Sequence, residues 1–259
     1  MPLFLMGTDG NMKRAGFNNA LVRQDNDAVL SVVSGSYEVF QNYDLYSKVK
    51  PMVEEGILTL SNLGHLRGGK QVYVQAKLNK EYFVVGESYS GYVTVTNFHT
   101  GTSKAGLGTS AERIVCENTF AAAHQELQKF AHINDGRAEF LDSKLVMEFV
   151  DRQMDIYSQD IEKIASTPCS ADSFDQFLKT VYRKDKVSDV RNVEKLNNLF
   201  YNGAGNEGKT FYDAINSLTE FNTHHSRKSP EARFNYANFG TGAQVNSRAM
   251  AVALEMAGV

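Results

Sequence analysis

One change of period decides most of what this chain can fold into. Between residues 57 and 98 apolar and polar residues alternate at a spacing of two, whereas after Thr119 the apolar ones recur at three and four. The first spacing lines one face of a strand and the second one face of a helix. Residues 57–60, 71–78, 82–85, 92–98 and 111–116 therefore read as strands. Their connections are too short for helical crossovers, so the sheet, at about residues 57–116, is expected to be antiparallel or mixed. Helices are predicted at 37–55, 120–131, 136–166, 170–181, 187–200, 210–221 and 244–256, with Pro51 disturbing the last turn of the first. A block of strands flanked by helices is an α+β pattern, here with a helical C-terminal half. Residues 1–35, rich in Asn, Asp and Gly, read as an irregular N-terminal arm with one short apolar run at 28–33 suited to a strand. Residues 36–259 read as a single α+β domain.

Composition narrows the classes of function. No run approaches the ~18–20 apolar residues that a membrane helix requires. The start, Met1-Pro2-Leu3-Phe4-Leu5-Met6, lacks the basic residues and long apolar core of a signal peptide, so a cytoplasmic location is expected. A formal net charge of −3 excludes a globally basic nucleic-acid coat while leaving room for a local basic patch. The two cysteines, Cys116 and Cys169, form no Cys-x-x-Cys pair, which excludes a zinc ribbon and a disulfide scaffold.

Gly203-Ala204-Gly205-Asn206-Glu207-Gly208-Lys209-Thr210 matches the phosphate-loop pattern G-x-x-x-x-G-K-[ST] at every letter. In a nucleotide-binding enzyme that loop leaves a buried parallel strand, and its amides cradle phosphate at a helix start. Upstream here stands Val193-Glu194-Lys195-Leu196-Asn197-Asn198-Leu199-Phe200, a helical pattern with polar residues where a buried strand is continuously apolar. The expectation is a Gly-rich turn between helices with Thr210 as the cap of the second, a cap whose loss costs about 1 kcal/mol.

Other candidates are thinner. Glu220 and His224 share a helix face at metal-ligand spacing, with no third ligand in view. His124 and His132 are too widely spaced for joint ligation, and Cys116 reads as a small core residue. Arg113, between Glu112 and Ile114, reads as a partly buried structural guanidinium. Neither a cofactor nor a metal is expected.

Charge is more informative. Residues 56 to 80 hold no acidic residue, yet they hold Arg67, Lys70, Lys77 and Lys80 with His65, and the Arg67-Gly68-Gly69-Lys70 turn carries two of these cations. Paired glycines between two strands signal a hairpin. Residues 221–230 are likewise free of acid and hold Arg227 and Lys228, and Lys104 lies in a Gly/Ser/Thr loop. Tyr73 and Tyr92 stand among these cations. Cations beside aromatic rings suit single-stranded nucleic acid, which offers phosphates to neutralise and bases to stack.

Four stretches resemble one known family. They are Gly69-Lys70-Gln71-Val72-Tyr73-Val74-Gln75-Ala76-Lys77-Leu78; Asn97-Phe98-His99-Thr100-Gly101 with Arg113-Ile114-Val115-Cys116-Glu117-Asn118-Thr119; Gly208-Lys209-Thr210 through Asn216 to Glu220; and Phe239-Gly240-Thr241-Gly242-Ala243 with Arg248-Ala249. The chain is similar over these to the phage/plasmid-like protein family, domain of unknown function 932. The family's Gly-Thr has no required Lys before the Thr, so the resemblance implies that Lys209 completes the phosphate-loop pattern by coincidence. The resemblance implies a mobile-element protein in a bacterial host cell, with no activity to carry over. The strand order is also similar to that of phage single-strand annealing proteins of the Red-beta and RecT kind, an analogy of fold alone.

The expected function is a non-enzymatic, homo-oligomeric protein that binds or anneals single-stranded DNA. Arg67, Lys70, Lys77, Lys80, Lys104, Arg227 and Lys228 would meet phosphate, and Tyr73 or Tyr92 would stack a base. The alternatives are a host-takeover or anti-defence factor with a host or phage protein as partner, and a nucleotide-binding enzyme working through 203–210. No membrane partner is expected.

Overall fold

A computed structural model describes residues 1–101, 105–113, 118–121, 128–130, 143–227 and 229–258. The fold is α+β, with antiparallel sheet and a helical C-terminal half. The chain divides into two compact units that interleave in sequence: residues 1–79, 93–108 and 126–148 form the first, and 80–92, 109–125 and 149–259 the second.

The first unit opens with a feature the sequence hid. Residues expected to be an irregular arm form a three-stranded antiparallel sheet, β1 (Pro2–Met6), β2 (Met12–Val22) and β3 (Val29–Val33), in that order. Most of β1 and the first half of β2 is exposed on both faces, which erases the alternation by which a half-buried strand is read. Helix α1 (Asn42–Glu54) follows, shorter at its start than the predicted 37–55. A capping box between Gln41 and Asp44 fixes that start, and Pro51 lies within the helix. Leu45, Val49 and Met52 of α1 are buried at spacings of four and three.

Next comes the predicted hairpin. Strand β4 (Leu58–Leu66) pairs antiparallel with β5 (Gln71–Val84), from Leu58 opposite Leu78 to Leu66 opposite Gln71, with an irregularity between Leu60 and Asn62. Strands β6 (Glu87–Phe98), β7 (Ala105–Arg113) and β8 (Asn118–Ala121) continue the hydrogen-bonded order, and β9 (Gln128–Phe130) pairs with β7. Here the helix predicted at 120–131 is corrected. β8 and β9 take its two ends as antiparallel partners of β7, so ladder pairing overrides the helical spacing of apolar residues. β5, β6 and β7 each contribute residues to both units.

Helices dominate the second unit: α2 (Ser143–Ser166), α3 (Ala171–Tyr182), α4 (Val193–Asn202), α5 (Phe211–Glu220), α6 (Pro230–Phe239) and α7 (Thr241–Met256). Residues 187–200, read as one helix, split into a short 3₁₀ turn (Val187–Asp189) and α4. Helix α6 went unpredicted, although Ser229 caps it and Pro230 opens it. Every residue of α5 from Phe211 to Thr219 is buried, and α4, α7 and β8 pack around it. Phe174 of α3 stacks on Phe200 of α4, with ring centroids 4.2 Å apart. Arg248 of α7 donates to the Val181 carbonyl near the end of α3 at 2.8 Å. Among the described residues no helix is long and apolar enough to cross a membrane.

Burial sets an alkaline limit on stability. It pushes the Tyr37 phenol up to about 12, and burial followed by the nearby Asp213 charge pushes the Cys169 thiol up to about 12. Both groups ionise more easily in the unfolded chain, so their stabilising contribution is whole below their ordinary values and is lost as pH rises through the folded ones. The urea midpoint is expected to fall progressively between about pH 9 and pH 12. A midpoint flat across that window would overturn this assignment.

Candidate functional site

The β4–β5 turn is the best-built feature bearing on the expected chemistry. Arg67, Gly68 and Gly69 all have positive φ (53°, 68° and 94°), a run that two glycines make affordable. From the β2–β3 turn, Arg23 reaches across to hold it. One guanidinium nitrogen donates to the Gly68 carbonyl at 3.0 Å, while Nε donates to Asp25 at 2.8 Å and a second nitrogen pairs with the same carboxylate. That pairing holds the Asp25 carboxyl below its usual range and raises the Arg23 guanidinium. Gly69 is buried beneath this contact, with the Arg23 guanidinium 3.0 Å from where a Cβ would stand. On the far side the His99 amide donates to the Lys70 carbonyl at 2.8 Å. The turn is thus fastened at both shoulders while the Arg67 and Lys70 side chains, and His65 beside them, stay exposed.

Gly69→Ala is expected to cost about 1–3 kcal/mol, because it adds a left-handed penalty to a clash with Arg23. Urea titration of the variant checks this, and a loss below 0.5 kcal/mol, within the ordinary range of surface substitutions, would show the turn relaxing freely.

A cavity of about 610 Å³ opens beside the turn within the first unit. Arg23, Asp25 and Asp27 line it from the β2–β3 turn, Gln41 and Asn42 from the start of α1, and His65, Gly69 and Val72 from the hairpin. His99 closes it. That imidazole is only 7% exposed and its Nε2 lies 2.9 Å from the Asn42 side-chain oxygen and 3.4 Å from the Asn97 amide nitrogen. Asn97, fully buried, donates to the Phe40 carbonyl at 2.9 Å. The Asn-x-His stretch therefore ties the end of β6 to the entry of α1 and sets one wall of the cavity.

The remaining expected site residues separate. Lys77 is half-buried on β5. Tyr73 is 5% exposed, its ring laid over Gly64 on the paired strand with the hydroxyl 2.9 Å from where a Cβ would be, so its face is not open to a base. In the second unit, Lys80 pairs with Asp151 at 3.3 Å and lies over the Tyr82 ring, so its charge is already matched. Tyr82 also donates to Asp151 at 3.2 Å. Tyr92 is half-buried, and Arg227 is exposed with its guanidinium 4.3 Å from the Tyr236 ring centre. Lys104, Lys228, Cys116, His124, His132 and the Arg113 side chain lie outside the described residues. Arg23, which organises the turn, carries no sequence signal: it sits in the Asn-rich arm, and its partner is 45 residues away.

The stretch 203–210 is a turn between helices α4 and α5, not a loop leaving a strand. Thr210 caps α5 in a capping box with Asp213. The Asp213 carboxylate accepts the amides of Lys209 (2.9 Å), Thr210 (3.0 Å) and Glu207 (3.3 Å), the donors a phosphate would need. Lys209 pairs with Glu207 in solvent, and its carbonyl accepts the Cys169 amide at 2.8 Å. Glu220 accepts the Ala204 amide at 3.1 Å, which employs it in the same turn; His224 lies in the π-helical turn Phe221–His225.

Comparison with known protein families matches residues 29–250 to Domain of unknown function (DUF932). The chain belongs to the DUF932 family. The match takes in α1, the β4–β5 hairpin, the Asn-x-His wall and α5, and begins at β3, after β1, β2 and Arg23. No curated protein and no solved structure matches the chain.

Proposed function

We propose that this DUF932 protein is a non-enzymatic binder of single-stranded DNA, of phage or plasmid type and acting in the bacterial cytoplasm, that takes hold of its ligand at the β4–β5 turn. The observation that carries the reading is the turn itself: Arg67 and Lys70 exposed on a backbone fastened by Arg23 and His99, on a hairpin without acidic side chains from residue 56 to 80. A rigid pair of cations loses less conformational freedom on meeting phosphate than two cations on a floppy loop. The phosphate contacts first expected at Lys80 and the stacking at Tyr73 are set aside, since the first is paired and the second is covered.

Fluorescence anisotropy with a labelled oligodeoxynucleotide tests it. Each lost phosphate contact should flatten the dependence of log affinity on log salt by about 0.7 for a single strand. Arg67→Ala with Lys70→Ala is therefore expected to weaken binding about tenfold or more and to reduce the slope by about 1.4. No salt-sensitive binding at micromolar protein would end this reading.

A second reading has its own observation. Phe4, Leu5, Met6, Met12 and Phe17 stand exposed on β1 and β2, with Phe17 86% accessible. Apolar surface of this kind fits a protein partner, whether a second copy or a host protein. Solution mass across a concentration series, with and without oligonucleotide, separates self-association from DNA-driven assembly.

A further inference from the structure

We infer that the cavity beside the β4–β5 turn receives a nucleobase while the phosphate attached to it stays outside on Arg67 and Lys70; this rests on the function proposed above. The argument is one of charge and lining. At about 610 Å³ the cavity lies within the range of small-molecule sites. Its fixed charges are two cations, the Arg23 guanidinium and the Met1 ammonium, against two carboxylates, Asp25 and Asp27; Arg23 is already engaged with Asp25, and the ammonium donates to the Ala20 carbonyl at 3.0 Å. Such an interior has no net charge with which to draw in a phosphate. The rim is positive, since Arg67 and Lys70 are exposed and make no ion pair among the described residues. A ligand with a neutral, polar-edged head and an anionic tail matches both surfaces at once.

The lining also fits the head. Leu21, Leu30, Val39 and Val72 supply apolar walls, and Gln41 and Asn42 supply amides that both donate and accept. A planar heterocycle with donors and acceptors on its edge satisfies such a lining, as a base taken out of its stack does between apolar side chains. Val72 and His65 are directly opposed across the hairpin, with His65 two residues before Arg67 and Val72 two after Lys70. The cavity wall and the phosphate-facing cations are therefore parts of one hairpin, two residues apart on each side of its turn. The same chemistry has two sources, a free nucleotide or one residue of a single strand, and the experiment distinguishes them.

The probes are a labelled mixed-sequence oligodeoxynucleotide, the same backbone with every base removed, and a deoxynucleoside monophosphate followed by calorimetry. Val72→Phe is the matching variant. It fills the cavity from a half-buried strand position that favours aromatic residues, and its melting temperature is compared with that of the native protein. With base entry, the abasic strand binds about tenfold or more weakly than the normal one. Val72→Phe then lowers binding of the normal strand to the abasic level and leaves the salt slope unchanged. Equal affinity for normal and abasic strands overturns base entry while sparing the phosphate-binding turn, and does so in the native protein whether or not the variant folds. Binding of the mononucleotide alone, lost in Val72→Phe, supports the cavity and overturns the strand-binding function. Binding of neither overturns both.

Discussion

Asp213→Ala is expected to remove about 3–5 kcal/mol of stability from the second unit. The carboxylate is 5% exposed and accepts three backbone amides, from Glu207, Lys209 and Thr210, besides the Thr210 hydroxyl. It also sits in the first turn of α5, where the helix dipole favours negative charge. Alanine leaves those donors without acceptors, and an unsatisfied buried polar group costs about 1–3 kcal/mol. Asp213→Asn keeps the shape and one acceptor oxygen, so a smaller loss of about 1–2 kcal/mol is expected. Lys209→Ala provides the contrast. Its ammonium pairs with Glu207 in solvent, so stability should be unchanged and no Mg²⁺–ATP affinity should be lost. Urea titrations of the three variants test the set; an Asp213→Ala protein within 1 kcal/mol of native would show that the turn holds its shape without the carboxylate.

What the sequence made legible depended on whether the deciding partner lay nearby. The β4–β5 hairpin was readable because Gly68 and Gly69 sit between two alternating runs, and Thr210 was readable as a cap because Asp213 follows three residues later. The three-stranded sheet at the start was not, since strands exposed on both faces carry no alternation. Residues 120–131 had helical spacing, yet the open edge of β7 took Asn118–Ala121 and Gln128–Phe130 as strands. The same division runs through the candidate site. Its cations were visible as a run without acid. The burial of Tyr73 depended on its register opposite Gly64, and the fastening of the turn depended on Arg23, distant in sequence. Sequence thus showed which groups are charged but not which charges are already spent, as the Lys80–Asp151 pair illustrates.

Phe200→Ala is expected to cost the second unit about 3–5 kcal/mol, the usual range for removing a buried ring and leaving its cavity. Phe200 is fully buried, stacks on Phe174 at 4.2 Å with the ring planes 7° apart, and meets the edge of its neighbour Tyr201 at 4.9 Å. Tyr201 in turn covers Gly208, whose absent Cβ would fall 2.2 Å from the ring. The ring therefore supports both the α3–α4 packing and the turn over residues 203–210. Phe200→Leu refills most of the volume and should recover more than half of the loss, because apolar swaps of similar size usually cost less than about 1.5 kcal/mol. Should Phe200→Leu prove as damaging as Phe200→Ala, ring stacking rather than filled volume would hold α3 against α4. Near-native stability for both would mean that the cluster collapses around the gap.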